Sequence, residues 1–211
     1  MSIYLFDFDG TLVDSMPTYI SVMLNILDKY NIKYDAEIIK TITPLGYEGT
    51  AKYYKGLGVP YEPDAIVAEM IANAKREYEE RIMAKESVID TLYDLKRRGA
   101  RLNVLTASPH DMLDCCLKRL GIFELFENVW SCDDFNTTKA NPEIYKSASK
   151  LLGVNVGEVI FLDDNFNSLK TAKLAGMRVF GVYDASSADY ADDIKAITER
   201  YIFDFKELLC F

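Results

Sequence analysis

Short apolar runs that alternate with helical segments constrain the fold of this chain more than any other feature. From Ser87 onward, four strands are predicted, at 102–105, 128–131, 158–162 and 177–182. Helices that end at a glycine lie between most of these strands. A further buried strand is predicted at 3–6, where the run Ile-Tyr-Leu-Phe is rich in strand-forming residues. Strands that alternate with helices form a parallel sheet with helices on both faces. The sequence therefore predicts an α/β protein built on a doubly wound parallel sheet.

One stretch interrupts this alternation. Four successive helical segments with no strand between them are predicted over 15–32, 35–43, 48–57 and 63–84. We expect residues 15–85 to form a helical unit that is inserted into a core made of 1–14 and 86–211. Near the end of the chain, the pattern predicts a helix over 189–200, an edge strand at 201–203 and a short helix that begins at Asp204.

Charge and composition disfavour several classes of protein. The 211 residues carry a formal net charge of −9, so the chain is poorly suited to binding nucleic acid or an anionic membrane. No apolar run approaches the roughly 20 residues of a membrane span. Aspartates stand near the N-terminus, where a signal peptide would carry lysines and a long apolar run, so we expect a cytoplasmic protein. We also expect a monomer, because no exposed apolar stripe stands out.

The cysteines and the histidine do not suggest a reactive centre. The four cysteines form no CxxC pair, and the single histidine, His110, follows Ser-Pro at the start of a predicted helix. We expect reduced, packed cysteines and a histidine that lies at the surface or at a helix start rather than in a catalytic site. Catalysis is then expected to rest on carboxylates.

Polar side chains follow three of the predicted strands. They are Asp7 and Asp9, Thr106 and Ser108, and Asp163 and Asp164. Ligands of doubly wound sheets bind beyond the carboxyl ends of the strands, so we expect these side chains to meet in one crevice. Gly10 lets the backbone turn close to whatever the first two carboxylates hold.

Four carboxylates in one crevice repel one another unless a cation or a proton relieves the repulsion. Oxygen ligands suit a hard cation, Mg²⁺ before Ca²⁺, and a Mg²⁺ held by few carboxylates usually also binds water and a substrate phosphate. Phosphoryl transfer is therefore the favoured chemistry, and it needs cations because a carboxylate nucleophile and a phosphate repel each other. Lys139, which precedes Asn141 and Pro142, lies where another loop should open onto the same edge and would be a second cation.

These loops resemble the four motifs of the haloacid dehalogenase (HAD) superfamily. The first motif is 7–15, Asp-Phe-Asp-Gly-Thr-Leu-Val-Asp-Ser, in the form that the phosphatases of the superfamily use. Thr106 after its strand, Lys139 before Asn-Pro-Glu-Ile-Tyr, and Phe-Leu-Asp-Asp at 161–164 follow in the family's order. The resemblance covers about residues 1–183. It implies a Rossmann-like core with the family's C1 helical cap domain at 15–85.

The resemblance implies a role for each matching residue. Asp7 would be the nucleophile that forms an aspartyl-phosphate, and Asp9 would be the general acid and then the base. Asp7, Asp9, Thr106 and Lys139 would form the catalytic set. The expected Mg²⁺ ligands are Asp7, the backbone carbonyl of Asp9, Asp164 and, as a second or outer ligand, Asp163. The groups expected to bind the phosphoryl oxygens are Gly10, Thr106, the N–H of Ala107, and Lys139. Asn167 would orient a metal-bound water.

The expected activity is that of a Mg²⁺-dependent phosphatase, which hydrolyses a small phosphorylated metabolite and is similar to phosphoglycolate phosphatase. A sugar-phosphate mutase similar to β-phosphoglucomutase, or a pyrophosphatase, is the alternative. A non-catalytic protein that binds a phosphorylated ligand is a more remote one. Against a mutase, the loop 43–49 has no Lys or Arg to grip a second phosphate, and Thr18-Tyr19 stands where the mutases carry a histidine. Asp9 favours ester cleavage over C–halogen cleavage, because the dehalogenases lack an acid at this position.

Overall fold

A computed structural model describes residues 2–210, apart from the side chain of Pro44. The chain forms two compact units. The first unit is Met1–Asp14 together with Met83–Phe211, and the second is Ser15–Ile82. The second unit thus ends at Ile82, three residues before the boundary expected from the sequence.

Four helices form the second unit: α1 (Met16–Lys29), α2 (Glu37–Ile42), α3 (Gly46–Gly56) and α4 (Pro63–Glu80). A proline occupies the first turn of α1 and of α4, where its missing N–H leaves no helical hydrogen bond unmade. Val22, Met23, Ile26 and Leu27 of α1 are buried and recur at a helical spacing, so they share one face. Both α1 and α3 pack against α4. None of the helices in the described part of the chain is both long and apolar enough to cross a lipid bilayer.

The first unit is built on six parallel strands. They are β1 (Ile3–Phe6), β2 (Arg101–Thr106), β3 (Asn128–Ser131), β4 (Val159–Asp163), β5 (Arg178–Val182) and β6 (Arg200–Ile202). The spatial order is β3-β2-β1-β4-β5-β6, so the direction of winding reverses between β1 and β4. A crevice opens at such a reversal beyond the carboxyl ends of the strands. The predicted fold class, a doubly wound parallel sheet, is confirmed.

Within residues 2–210, five α-helices accompany this sheet: α5 (Val88–Arg97), α6 (His110–Arg119), α7 (Glu143–Leu152), α8 (Phe166–Ala175) and α9 (Ala191–Ile197). Leu5 and Phe161 of the strands belong to an apolar core cluster with Leu169 of α8. Phe6, which alternates with Leu5 along β1, stacks against Phe205 at a ring distance of 6.1 Å. Neighbouring residues of β1 therefore point into apolar packing on opposite faces of the sheet.

The helix predicted over 63–84 is too long, because α4 ends at Glu80. The chain beyond it pairs with the segment that follows β1. The N–H of Asp14 donates to the carbonyl of Met83, and the N–H of Lys85 donates to the carbonyl of Leu12, each at 3.0 Å. These bonds require an extended backbone, which a continued helix would not provide.

The helix predicted over 189–200 is wrong at both ends, because α9 covers only Ala191–Ile197. The residues before it form a 3₁₀ turn, Ala185–Tyr190. After it, the N–H of Glu199 donates to the carbonyl of Val179 at 2.9 Å, and Arg200 begins β6. The backbone of Glu199 and Arg200 therefore pairs with β5, so it does not continue the helix that the pattern predicts.

Candidate active site

Asp7 is the first residue beyond β1, at the reversal in strand order. Its N–H donates to the carbonyl of Leu162 at 2.8 Å, which extends the pairing of β1 with β4 by one step. Phe6 and Phe8 on either side of it are fully buried. Because side chains alternate along an extended backbone, the Asp7 carboxylate lies on the side opposite to these rings. It is buried at the carboxyl edge of the sheet.

Three carboxylates meet at this edge. One oxygen from each of Asp7, Asp163 and Asp164 lies within 4.8 Å of the others, and all three residues are buried. The neighbouring strands bring them together, since Phe6 pairs with Leu162 and the acids follow directly in both strands. Asp9, the fourth carboxylate expected here, is half-buried and makes a different contact, described below.

Asp7 and Asp164 resist ionisation in this cluster. Burial, and next the charge of Asp163, raise the pKa of Asp7 to about 7, although Lys139 opposes the shift. Burial followed by the charges of Asp163 and Asp7 also raises the pKa of Asp164 well above its usual range. In the absence of a divalent cation, the fold therefore favours a proton on this cluster.

Lys139 supplies a positive charge to the cluster. Its ammonium group contacts Asp7 Oδ1 and lies 2.9 Å from Asp163 Oδ2, and its side chain is only 11% exposed. Burial alone would lower the pKa of Lys139, but Asp163 and Asp7 outweigh this effect and raise it. The hydroxyl of Tyr145 lies 3.1 Å from the carbonyl of Lys139, a contact that holds the lysine backbone in place.

Gly10 and Thr11 line the cluster of carboxylates on the side of Asp164. Gly10 has a φ of +73°, and a Cβ at this position would lie 2.8 Å from three carboxyl atoms of Asp164. Only glycine therefore allows the turn and the close approach together. The hydroxyl of Thr11 donates to Asp164 Oδ1 at 3.2 Å. Thr11 was not among the predicted site residues, although its place directly after Gly10 was a usable signal.

Asp9 contacts a hydroxyl on the loop that follows β2. Ser108 Oγ donates to Asp9 Oδ2. The N–H of Ser108 in turn donates to Thr106 Oγ1 at 3.1 Å. A hydroxyl that accepts one hydrogen bond can still donate its own proton, so Thr106 keeps the ability to bind an anion. Ser108 was noted at the strand end in the sequence, but its link to Asp9 was not foreseen.

The remaining predicted residues lie at the margin of this cluster. Ala107 is exposed between Thr106 and Ser108. Asn167 is exposed, and the residue that caps α8 is Asn165, whose side chain accepts the N–H groups of Asn167 and Ser168. The structure gives no contact between the Asn167 side chain and the acids.

His110 is the first residue of α6, and its two ring nitrogens lie 2.9 Å from carboxylates of Asp114 and Asp134. These contacts connect α6 with the turn after β3. They place the histidine in a structural pair of hydrogen bonds, in keeping with the interpretation from the sequence.

A sequence profile of haloacid dehalogenase-like hydrolases matches residues 4–182. The chain belongs to this family. The pyrophosphatase PpaX of Bacillus velezensis is 30% identical over 181 residues, which cover 84% of this chain and 81% of the relative. A phosphoglycolate phosphatase of Colwellia psychrerythraea is 28% identical over 98% of this chain and 95% of its own length. Among solved structures, CbbY from Rhodobacter sphaeroides in complex with phosphate has a TM-score of 0.78 at 22% identity, covering 99% of this chain and 96% of that one.

The donors in this haloacid dehalogenase-like hydrolase fit a hard divalent cation. The cluster offers carboxylate oxygens from three buried acids, and two of those acids have raised pKa values through burial and mutual repulsion. A cation would relieve that repulsion, and oxygen ligands are those that Mg²⁺ prefers. The arrangement therefore combines a candidate nucleophile, a buried lysine and a set of cation ligands at one edge of the sheet.

Proposed function

We propose that the protein is a Mg²⁺-dependent phosphatase that hydrolyses a phosphomonoester of a small metabolite through an aspartyl-phosphate on Asp7. The observation that carries this proposal is the contact of the Asp7 carboxylate with Lys139 beside two further acids. The carboxylate is thus held where a cation can neutralise it. The names of the relatives, a pyrophosphatase and a phosphoglycolate phosphatase, support hydrolysis of a phosphate bond.

In the first step, a carboxylate oxygen of Asp7 attacks the phosphorus while the bond to the leaving oxygen breaks. Asp9 gives its proton to that oxygen, which leaves as an alcohol. Lys139, Thr106 and the N–H of Ala107 would bind the phosphoryl oxygens and reduce their charge. The N–H of Gly10, also expected to bind them, instead donates to the carbonyl of Val13 at 3.0 Å.

In the second step, Asp9 takes a proton from a water that attacks the same phosphorus. The bond between phosphorus and Asp7 breaks, phosphate leaves, and both carboxyl groups return to their starting states. Asp7, Asp164, Asp163 and the carbonyl of Asp9 would hold Mg²⁺, which would neutralise the nucleophile and the phosphoryl group. A small metabolite as substrate, a monomeric state and a cytoplasmic location stay predictions from the sequence.

The test is phosphate release from p-nitrophenyl phosphate and a panel of phosphorylated metabolites, with Mg²⁺ or with EDTA. We expect turnover with Mg²⁺, none with EDTA, and none in the Asp7→Asn variant. The matched control is Asp192→Asn, because the side chain of Asp192 is 99% exposed on α9. Full activity of Asp7→Asn would contradict the assigned nucleophile. Isomerised product with a requirement for a bisphosphate would indicate a mutase instead.

A pyrophosphatase is the second candidate, because the 30% identical relative carries that name. The same attack by Asp7 would apply, with phosphate instead of an alcohol as the leaving group. Inorganic pyrophosphate belongs in the panel for this reason. A kcat/KM for pyrophosphate above that for every monoester would favour the second candidate over the first.

A further inference from the structure

Lys85 lies in the segment where the chain returns to the first unit. This segment pairs with residues 12–14, since Val13 and Ala84 form an antiparallel bridge and the N–H of Lys85 donates to the carbonyl of Leu12 at 3.0 Å. The backbone of Lys85 is thereby fixed beside the loop that carries Asp7, Asp9 and Gly10. Its side chain is 19% exposed.

The ammonium group of Lys85 has three acceptors for its three protons. They are the carbonyl of Gly10 at 2.8 Å, the carbonyl of Tyr183 at 2.6 Å and Asp184 Oδ2 at 2.9 Å. The first lies in the loop after β1 and the other two lie directly after β5. A lysine ammonium group has three donors, so each of these acceptors can take one of its protons. Lys85 therefore joins two loops at the carboxyl edge of the sheet.

Asp184 is the counter-charge of this lysine. It is buried, and its other oxygen accepts from the N–H of Ser186 at 2.9 Å and from the Ser186 hydroxyl at 2.6 Å. Burial opposes its ionisation, but the hydrogen bonds from Ser186 and Lys85 hold the pKa of Asp184 below its usual range. The negative charge of Asp184 also repels that of Asp164 and is one of the causes that raise the pKa of Asp164.

The contact with Gly10 leads directly to the candidate cation ligands. Gly10 is the residue whose backbone packs against the Asp164 carboxyl group, so closely that a Cβ would stand 2.8 Å from it. Its N–H is also fixed, by a bond of 3.0 Å to the carbonyl of Val13. By holding the Gly10 carbonyl, Lys85 thus helps to set the position of the Gly10 backbone relative to Asp164.

We infer that Lys85 is a positioning residue for the divalent cation: it holds the Gly10 carbonyl so that Asp164 keeps the position needed for ligation. This inference rests on the proposed function, in which Asp164 is a cation ligand. Lys85 does not touch the acids of the cluster itself. Its effect would pass through the backbone of the loop after β1.

A different role for Lys85 would be to neutralise Asp184 alone, and three variants separate the two roles. Lys85→Met removes both the bond to Gly10 and the charge that balances Asp184. Asp184→Asn removes the counter-charge and keeps the bond to Gly10. The double variant Lys85→Met/Asp184→Asn leaves no unpaired buried carboxylate and still lacks the bond to Gly10. Lys146→Met is the matched control, because Lys146 is exposed and, among the residues that the structure describes, pairs with Glu143 on the same helix, α7.

The decisive measurement is binding of Mn²⁺, used as a stand-in for Mg²⁺, by water-proton relaxation without substrate. We expect the Kd of the double variant to rise about tenfold, and those of Asp184→Asn and Lys146→Met to change less than twofold. The Mg²⁺ concentration for half-maximal activity should rise in parallel, while KM for p-nitrophenyl phosphate at saturating Mg²⁺ changes less than twofold. Melting curves of all variants identify any that fail to fold, and the double variant carries the test if Lys85→Met alone does not fold.

A Kd for the double variant within twofold of the unmodified protein would overturn the inference, because charge balance with Asp184 would then explain the contact. A lower melting temperature of the double variant with unchanged Mn²⁺ binding would overturn it as well. The binding measurement requires no turnover. Absence of phosphatase activity would therefore count against the proposed function. The order of the Mn²⁺ affinities among the variants tests separately whether Lys85 positions the cation ligand.

Discussion

Gly10→Ala is the substitution whose effect on the site can be worked out most directly. At φ +73°, any residue with a Cβ is strained by about 1–2 kcal/mol. Gly121, just after α6, has the same φ of +73°, but a Cβ there would meet no heavy atom within 4 Å. Gly121→Ala is thus a control with the same backbone cost and no collision. For a chain of this length, that cost lowers the melting temperature by about 2–8 °C in both variants.

The two variants should differ at the cation site. The new Cβ of Gly10→Ala would lie 2.8 Å from Asp164, whereas ordinary contact begins at 3.4 Å, so the carboxyl group has to move by about 0.6 Å. Metal–ligand distances tolerate only about 0.2 Å. We expect the Mg²⁺ concentration for half-maximal activity, and the Kd for Mn²⁺, to rise at least about tenfold in Gly10→Ala and to stay unchanged in Gly121→Ala.

The assay combines thermal melting of the cation-free protein with Mg²⁺ titrations of p-nitrophenyl phosphate hydrolysis. A loss of stability in both variants, at least as large in Gly10→Ala as in Gly121→Ala, with a defect in Mg²⁺ use confined to Gly10→Ala would agree with the geometry. If both variants needed the same Mg²⁺ concentration as the unmodified protein, the contact between Gly10 and Asp164 would not set the position of a cation ligand.

Two further outcomes are expected. Asp9→Asn should reduce kcat/KM, which reports the steps up to departure of the leaving group, about 10²-fold or more for alkyl phosphates and much less for p-nitrophenyl phosphate, whose leaving group departs without a proton. Equal losses of kcat/KM for the two substrates would exclude Asp9 as the acid. Mg²⁺ should raise the melting temperature more at pH 8 than at pH 5.5. The pKa of Asp7 is raised from 3.8 to about 7 by burial and by Asp163, so without a cation the protein is stabilised at low pH and loses that stability as the pH rises through 7. A Mg²⁺-induced shift that is equal at both pH values would contradict this repulsion.

Local patterns were sufficient for most of the fold because each strand is a short apolar run with a clear stop. The strand expected at 128–131 is β3 with the same limits, and Gly121, Gly153 and Gly176 end their helices in the left-handed conformation. The helix expected over 189–200 failed because Glu199 bonds to β5, a partner twenty residues away. Helical spacing alone does not reveal when such a distant strand competes for the backbone.

At the site, the sequence was informative about which loops meet and much less so about which side chains touch. Strand ends predicted that Asp7, Asp163 and Asp164 would converge, and they lie together. The contact between Ser108 and Asp9, like that between Lys85 and Gly10, depends on the reach and rotamer of single side chains. Neither follows from periodicity, and the expected helical unit, 15–85, even included Lys85.

The structure gives the two aspartates of the first motif unequal surroundings, and these match the unequal chemical tasks proposed for them. Asp7 is buried among acids, so as the proposed nucleophile it would need Lys139 and a divalent cation to favour its ionised form. Asp9 is half-buried and contacts the hydroxyl of Ser108. A hydroxyl can donate to a carboxylate and can equally accept from a carboxylic acid, so this contact is compatible with both protonation states of Asp9. A residue that must give up a proton in one step and take it back in the next requires such a partner, whereas a lysine or a metal ion at the same place would favour only the ionised form.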